Sequence, residues 1–311
     1  MSSSRVKYDI RHCRAFGGDL RGLIEYPQLL ILGAFAGLTI FLGLPLAMAQ
    51  GVSSKKQGFL NAFAIGILIF LIVDVLGHAW ESVTNAASSA FAGTSPVEEA
   101  VLDLFAMFGG LAIGLLGLTC YGTRYMKETH LGPSIARKMA PGGRGDHGQQ
   151  RKEMLLEQQL NAYRLSMMIA VGIGVHNFSE GLAIGQSYVS GAIGLAAVLV
   201  IGFAAHNATE GFGIAAPLTG LSKRPGARFL FLAGLIGGGP TFIGTLLGSL
   251  WTSTALNIFF LSVAGGALIY VSMLMYNSGR RQTTNSILMV GFFVGLFAGF
   301  VTDLIVILGG A

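Results

Sequence analysis

Residues 160–185, LNAYRLSMMIAVGIGVHNFSEGLAIG, form an apolar run that carries His176 and Glu180. A helix that crosses a bilayer needs roughly 20 mainly apolar residues, and this run has that length. An imidazole and a carboxylate inside such a helix are costly, so they are candidates for function by default. The stretch therefore predicts a transmembrane helix that contains part of a functional site.

The rest of the chain has the same character. It has 311 residues, 11% of them charged and 52% hydrophobic, with a mean hydropathy of +0.65. A soluble domain of this composition would lack the polar surface to cover its core. We therefore predict an all-α, polytopic membrane protein with eight transmembrane helices, at approximately 28–50, 58–80, 99–122, 160–185, 191–216, 228–250, 255–276 and 285–309.

The runs and the polar stretches between them divide the chain into four parts. These are a basic N-terminal segment (1–26), transmembrane helices 1–3 (27–122), a cytoplasmic loop (123–159), and helices 4–8 (160–311), all within one membrane domain. Segment 1–26 either lies on the membrane surface or is a disordered tail. His130 and His147 in the long loop are interpreted as solvated side chains, and Cys13 and Cys120 form no disulfide framework.

The basic residues indicate the orientation. Fourteen Lys and Arg residues fall in loops 1–2, 3–4, 5–6 and 7–8, and loops 2–3, 4–5 and 6–7 have none. By the positive-inside rule both termini lie outside and loop 123–159 is cytoplasmic, although five basic residues of segment 1–26 oppose this assignment. We expect a multi-pass protein of the cytoplasmic membrane. Because the net charge of +5 comes from these loops, we expect no nucleic-acid partner.

Ionisable residues within the predicted spans form a short set, and no Lys or Arg occupies the middle of any span. Protons or a bound cation must therefore balance the carboxylates. The candidates for function are Asp74 and His78 in helix 2 with Glu81 at its end, His176 and Glu180 in helix 4, His206 and Glu210 in helix 5, and Asp303 in helix 8.

Helices 4 and 5 share a pattern, His-Asn-x-[Ser/Thr]-Glu-Gly, at 176–181 and 206–211. A spacing of four places each His and Glu on one helical face. Two such faces offer two imidazoles and two carboxylates, a set suited to Zn²⁺, Fe²⁺, Mn²⁺, Co²⁺ or Ni²⁺. Asn177 and Asn207 can add amide oxygens or hydrogen bonds to the ligands. Structural packing is the alternative interpretation of the repeat.

Three residues form a predicted transport pathway beside this site. Asp74 and His78 share a face of helix 2, where they either widen the site or lie at the membrane interface near Trp80. Asp303 is either a proton or metal relay or an interhelical hydrogen-bonding residue. Residues 237–241, Gly-Gly-Gly-Pro-Thr, predict a break in helix 6.

The two patterns, together with the eight spans and the long loop after helix 3, resemble the ZIP (Zrt/Irt-like) family of divalent metal transporters. The resemblance implies that His176, Glu180 and Glu210 are primary metal ligands, with position 206 contributing. It implies an adjacent second site at Asn177, Asn207 and Glu210. It also implies an elevator mechanism in which helices 1, 4, 5 and 6 slide against the others, and places Asp74 near the metal entrance.

The chain departs from the family pattern in five places. Ser179 and Thr209 replace the Pro that many members have before each Glu, so we expect a shallower kink and a hydroxyl bond to the preceding turn. Gly239 stands where two-metal members have Glu, and Asn207 is neutral, which favours a single ion. Residues 270–276 of helix 7 lack the His and Glu that many relatives have there, so the sequence does not identify the route by which the ion leaves.

These observations lead to a functional prediction. We expect transport of a divalent transition metal into the cytoplasm, with Zn²⁺ first and Fe²⁺, Mn²⁺, Co²⁺ or Cd²⁺ as alternatives, and no enzyme activity. An intramembrane metalloenzyme is the alternative function, although the His-Glu-x-x-His spacing is absent. A haem-binding bundle with His176 and His206 as axial ligands is the third candidate. The expected partners are the metal and the lipid bilayer, with a homodimer left open.

Overall fold

The computed structural model describes residues 18–49, 52–127, 147–189, 193–221, 223–250, 253–280 and 283–308. Within these ranges all regular structure is helical, and eight helices are long and apolar enough to cross a membrane. The prediction of an all-α protein with eight transmembrane helices is therefore confirmed.

The helices are numbered by the spans they form. Helix α1 (Gly18–Leu38) continues into 3₁₀ turns at Thr39–Leu42 and Leu44–Met48, and α3 (Val97–Ala112) continues through a π-helical turn at Ile113–Gly117 into Leu118–Lys127. The others are α2 (Ser54–Phe91), α4 (His147–Val189), α5 (Ile193–Ala215), α6 (Ala227–Gly248), α7 (Thr254–Gly279) and α8 (Asn285–Leu308).

Several helices run past the predicted apolar boundaries. Helix α1 begins within segment 1–26, α4 begins within loop 123–159, and α2 extends eleven residues past the predicted end at 80. The apolar runs mark the part of a helix inside the bilayer. Residues with good helix propensity, such as the Arg, Lys, Glu, Leu and Gln of 151–160, continue the helix beyond it.

The predicted break at residues 237–241 is wrong, because α6 runs without interruption from Ala227 to Gly248 with Pro240 inside it. The neighbouring helices explain the continuity. A Cβ atom on Gly238 would overlap the carbonyl oxygen of Gly37. The glycines thus allow α6 to pack closely against α1, and this packing keeps the helix continuous past Pro240.

The helices form two groups that meet at the centre. In one, α4 packs on α6 and α5, and α1 packs on α6 and α5; in the other, α2 packs on α7 and α8, and α3 packs on α7. The largest buried cluster lies between the groups and includes Leu68, Met168, Ile173, Ile214 and Leu268. The outer faces of α3 and α8 expose large apolar side chains, as expected of helices that face lipid.

Candidate metal site

The two His-Asn-x-[Ser/Thr]-Glu-Gly patterns meet inside the helix bundle. His176 and Glu180 project from α4, and His206 and Glu210 project from α5. All four are buried, with exposed fractions of 1%, 5%, 6% and 2% respectively. Because both helices are regular through the patterns, the spacing of four places the His and Glu of each pattern on one helical face. The structure thus brings together the four residues predicted as ligands.

The imidazole and carboxylate groups of the four residues contact one another directly. His176 Nε2 lies 3.2 Å from Glu180 Oε1 and 3.6 Å from Glu210 Oε1. His206 Nδ1 lies 4.0 Å from Glu180 Oε1. Glu180 therefore stands between the two imidazoles, and His176 stands between the two carboxylates.

These separations are close to those of ligands that share one ion. With zinc bonds of 2.0–2.2 Å, two ligand atoms of a tetrahedral site lie about 3.4 Å apart. Among the described residues, however, no three His, Cys, Asp or Glu side chains are already arranged to hold a metal ion. Direct His-to-Glu contacts occupy the centre, so side-chain rotation would have to open it for an ion.

The polar atoms of this cluster are poorly satisfied. Both ring nitrogens of His176 and of His206, Glu180 Oε2 and both carboxylate oxygens of Glu210 are buried without an ordinary hydrogen bond in the described part of the chain. Buried polar groups are normally hydrogen-bonded, and an unpaired one costs about 1–3 kcal/mol. Seven such atoms in one cluster indicate a site that is completed by something other than this chain.

Asn177 and Asn207 fasten the two patterns to different helices. Asn177 Nδ2 donates to the carbonyl of Gly237 in α6 at 2.9 Å. Asn207 Nδ2 donates to the carbonyl of Ala36, in the last turn of α1, also at 2.9 Å. The Oδ1 atom of each amide is buried and has no partner among the described residues. These two bonds go to backbone carbonyls and not to the proposed ligands, so the predicted role of the amides beside the ligands stays a prediction. Both amide oxygens remain available.

The glycine that ends each pattern packs against the same part of the bundle as the asparagine of that pattern. A Cβ atom on Gly181 would overlap the carbonyl oxygen of Thr241 in α6, and one on Gly211 would overlap that of Ile40 beyond α1. Small residues at such positions let helix backbones touch. Each pattern therefore docks through an Asn and a Gly, the first on α6 and the second on α1.

Ser179 and Thr209 directly precede the glutamates of the two patterns. Ser179 Oγ donates to the carbonyl of His176, and Thr209 Oγ1 donates to that of His206, each at 2.7 Å. These are the predicted bonds to the preceding turn, and both α4 and α5 continue through them. In each pattern, the backbone carbonyl of the His therefore accepts a hydrogen bond from a hydroxyl group.

A cavity of about 850 Å³ leads away from the cluster. His176, Glu180 and His206 lie in its wall, together with the predicted pathway residues Asp74, His78 and Asp303. Asp74 Oδ1 lies 3.6 Å from His78 Nε2, and the His78 side chain is 67% exposed. Glu210 and both asparagines are not among the residues that line this cavity.

The sequence prediction missed neighbours of the site. Phe70 of α2 sets its ring edge against His206, with the ring centroids 6.1 Å apart. Asn257 and Gln186 also line the cavity. An aromatic residue in an apolar run carries no signal of its own, and these amides stand near helix ends where polar residues are ordinary. Only the packing of α2, α4, α5 and α7 reveals them.

Comparison with known proteins agrees with this geometry. The family described as "Zip: ZIP Zinc transporter" matches residues 125–306, more than half of the chain. The chain belongs to the ZIP family. Both ligand patterns and helices α4 to α8 up to residue 306 lie within the matched region.

One curated protein is similar to part of this chain. It is "Zinc transporter ZTP29" of Arabidopsis thaliana, 26% identical over 162 residues, which are 51% of this chain and 50% of the relative. The ZIP chain thus matches about half the length of this relative. Asp74 and His78 lie outside the family match, so their assignment to a transport pathway depends on their position in the cavity wall.

Proposed function

We propose that the protein transports a divalent transition-metal ion across the membrane, with Zn²⁺ as the first candidate. The observation that carries the proposal is the buried, unsatisfied cluster of two imidazoles and two carboxylates beside a cavity. Membership of the ZIP family and similarity to a protein named as a zinc transporter support it.

The charge balance of the cluster favours a cation. Glu180 and Glu210 are buried, and the described ion pairs of both are with His side chains and not with Lys or Arg. A divalent ion can replace the imidazole protons and neutralise both carboxylates. The ligand set we propose is His176, Glu180, His206 and Glu210, with the amide oxygens of Asn177 and Asn207 beside it.

The composition of this set also bears on the metal. Imidazole and carboxylate ligands suit Zn²⁺, Fe²⁺, Mn²⁺ and Co²⁺, whereas Cu⁺ prefers thiolates and thioethers. A second ion would need further negative charge. Asn207 is neutral and already donates to Ala36, and Gly239 supplies no carboxylate. We propose one bound ion, as the departures from the family pattern predicted.

The cavity gives the ion a route to the site. Its wall includes Glu81, Ser82 and Asn85 near the end of α2 and Gln186 and Ser187 near the end of α4. These ends adjoin the loops without basic residues. By the positive-inside rule the cavity therefore opens to the outside, with Asp74, His78 and Asp303 lining the entrance.

On the opposite side the route is closed by packing. Leu68, Met168, Ile173 and Leu268 are each at most 2% exposed and belong to the largest apolar cluster. An ion cannot cross this cluster without a rearrangement. We propose that α1, α4, α5 and α6, which the two patterns join, move as one unit against α2, α3, α7 and α8 and release the ion to the cytoplasm. This is the elevator mechanism implied by the resemblance.

The metalloenzyme alternative is not favoured. The ZIP family is a family of transporters, and hydrolytic zinc sites keep an open coordination position beside a substrate cleft. The cluster instead offers at least four ligands to one ion. Haem is not favoured either, because Glu180 and Glu210 contact His176 directly.

Uptake into liposomes tests the proposed function. Protein reconstituted into vesicles with a trapped zinc-sensitive dye should admit Zn²⁺, and Fe²⁺, Mn²⁺, Co²⁺ and Cd²⁺ should be compared as competitors, with Mg²⁺ as the negative control. The proposal predicts saturable uptake that transition metals inhibit and Mg²⁺ does not. Flux equal to that of protein-free vesicles, or hydrolysis of model esters or peptides without flux, would contradict it.

A further inference from the structure

A second concave surface lies between α2, α7 and α8, away from the metal site. It is a groove of about 540 Å³. Its floor and rim are formed mainly by Ala62, Ile65, Leu288, Met273, Tyr276 and Met289. We call it the α2/α7/α8 groove.

The groove is open toward the bilayer. Ile65 and Leu288 at its floor are 5% and 2% exposed, whereas Met273, Tyr276 and Met289 at its rim are 60%, 43% and 51% exposed. A concave apolar surface of this size is in the range of ligand pockets. Because it lies on membrane-spanning helices, hydrocarbon is the solvent that meets it.

Basic residues stand at one end of the groove only. Lys55 precedes Ala62 by seven residues, and Arg280 follows Tyr276 by four. These spacings continue the groove-facing stripes of α2 and α7. Asn61 Nδ2 donates to the carbonyl of Met275 at 2.8 Å, which sets the start of α2 beside the end of α7. Lys55 and Arg280 thus lie at the same membrane face.

These two cations lack acidic neighbours. Both side chains are exposed, and neither forms an ion pair within the described part of the chain. Helix α7 contains no Asp or Glu, and Asp74, Glu81 and Asp303 lie toward the opposite ends of α2 and α8. An anion would therefore meet two unpaired positive charges at the mouth of an apolar groove.

We propose that the α2/α7/α8 groove binds an anionic phospholipid of the cytoplasmic leaflet. One acyl chain lies in the groove, and the phosphate lies between Lys55 and Arg280. Basic sites between transmembrane helices on the cytoplasmic side bind anionic head groups in this way, and that leaflet is rich in such lipids. The proposal uses the orientation assigned above but not metal transport, so lipid binding and metal flux can fail independently.

Native mass spectrometry of the full chain in detergent, titrated with phosphatidylglycerol or phosphatidylcholine, measures the binding. We expect phosphatidylglycerol to bind more tightly. If each cation that contacts the phosphate contributes about fivefold in affinity, Lys55→Ala with Arg280→Ala should weaken phosphatidylglycerol binding by roughly thirtyfold. Lys56→Ala with Lys223→Ala removes the same charge from the same face and should change binding by less than about threefold.

A second pair of variants tests the groove itself. Met273→Trp fills the groove from its rim and should reduce binding of phosphatidylglycerol, whereas Phe297→Trp adds bulk at an exposed position of α8 outside it. Equal affinity for the two lipids, equal loss in both charge pairs, or equal loss in both tryptophan variants would overturn the proposal. A dimer that Met273→Trp dissociates would also overturn it, because the occupant would then be a second copy of the chain.

Discussion

Asn207 donates a 2.9 Å hydrogen bond to the backbone carbonyl of Ala36, which also accepts from Thr39 Oγ1 at 2.7 Å. Ala36 lies in the last turn of α1, where helical carbonyls lack N–H partners of their own. The second ligand pattern is thus attached to the end of α1, as Asn177 attaches the first to Gly237 of α6. This arrangement joins the metal site to the helices proposed to move with it.

The bond to Ala36 predicts a specific effect of Asn207→Asp. A carboxylate cannot donate to the carbonyl, so the metal-free protein should lose roughly 1–3 kcal/mol of stability. The added charge should also strengthen binding of Zn²⁺, so Zn²⁺ should raise the melting temperature more than it does in the wild type. Thermal unfolding in detergent with and without Zn²⁺ measures both effects.

Asn207→Ala serves as the control for that experiment. It also removes the donor but adds no charge, so it should melt early without the enlarged response to Zn²⁺. If Asn207→Asp and Asn207→Ala respond alike to Zn²⁺, the neutral residue at 207 does not limit the charge of the site.

Backbone contact at Gly181 predicts a packing defect in Gly181→Ala. The new methyl group would overlap the Thr241 carbonyl, and such overpacking costs about 1–3 kcal/mol. Gly109 of α3 has open space at the same position, so Gly109→Ala should be neutral or slightly stabilising because Ala is the better helix former. Melting temperatures in detergent compare the two variants, and equal values would argue against close docking of α4 on α6.

The cavity predicts a role for its carboxylates in metal capture. Asp74→Asn and Asp303→Asn remove negative charge from the wall but leave the four proposed ligands in place. We expect the apparent KM for Zn²⁺ uptake to rise severalfold in the double variant, with a smaller change in the maximal rate. Raising the ionic strength should reduce the difference between variant and wild type. An unchanged KM would show that these two residues are not part of the transport pathway.

Protonation of the ligands predicts the pH dependence of binding. A metal displaces protons from imidazole and carboxylate groups, so acid favours the proton-bound, metal-free site. The apparent affinity for Zn²⁺ should therefore fall as the pH falls from 7.5 to 5.5, about where an ordinary imidazole gains its proton. Isothermal titration in two buffers of different ionisation enthalpy should also show proton release on binding. Binding independent of both pH and buffer would contradict the proposed ligands.

The sequence predicted the helices and the four candidate ligands because both follow from periodicity. An apolar run long enough to span a membrane must be helical there, and a spacing of four places His176 beside Glu180. The sequence could not show which elements hold Asn177 and Asn207, because their acceptors are backbone carbonyls at Gly237 and Ala36.

The continuity of α6 shows the limit of local signals. Three glycines before Pro240 favour a break in an isolated helix. In the bundle, Gly238 packs against Gly37 and Gly237 accepts from Asn177, so tertiary contacts outweigh the local preference. The aromatic contact of Phe70 with His206 depends on the same three-dimensional packing.

Zn²⁺ uptake by His176→Ala and Glu180→Ala in reconstituted vesicles is the decisive test of the proposed metal site. Glu98→Ala, at an exposed position in the first turn of α3, is the matched control. All three variants should first be shown to be folded by their melting temperatures. We predict that both site variants fall to the flux of protein-free vesicles while Glu98→Ala transports like the wild type. Wild-type flux in both folded site variants would contradict the claim that this cluster carries the metal.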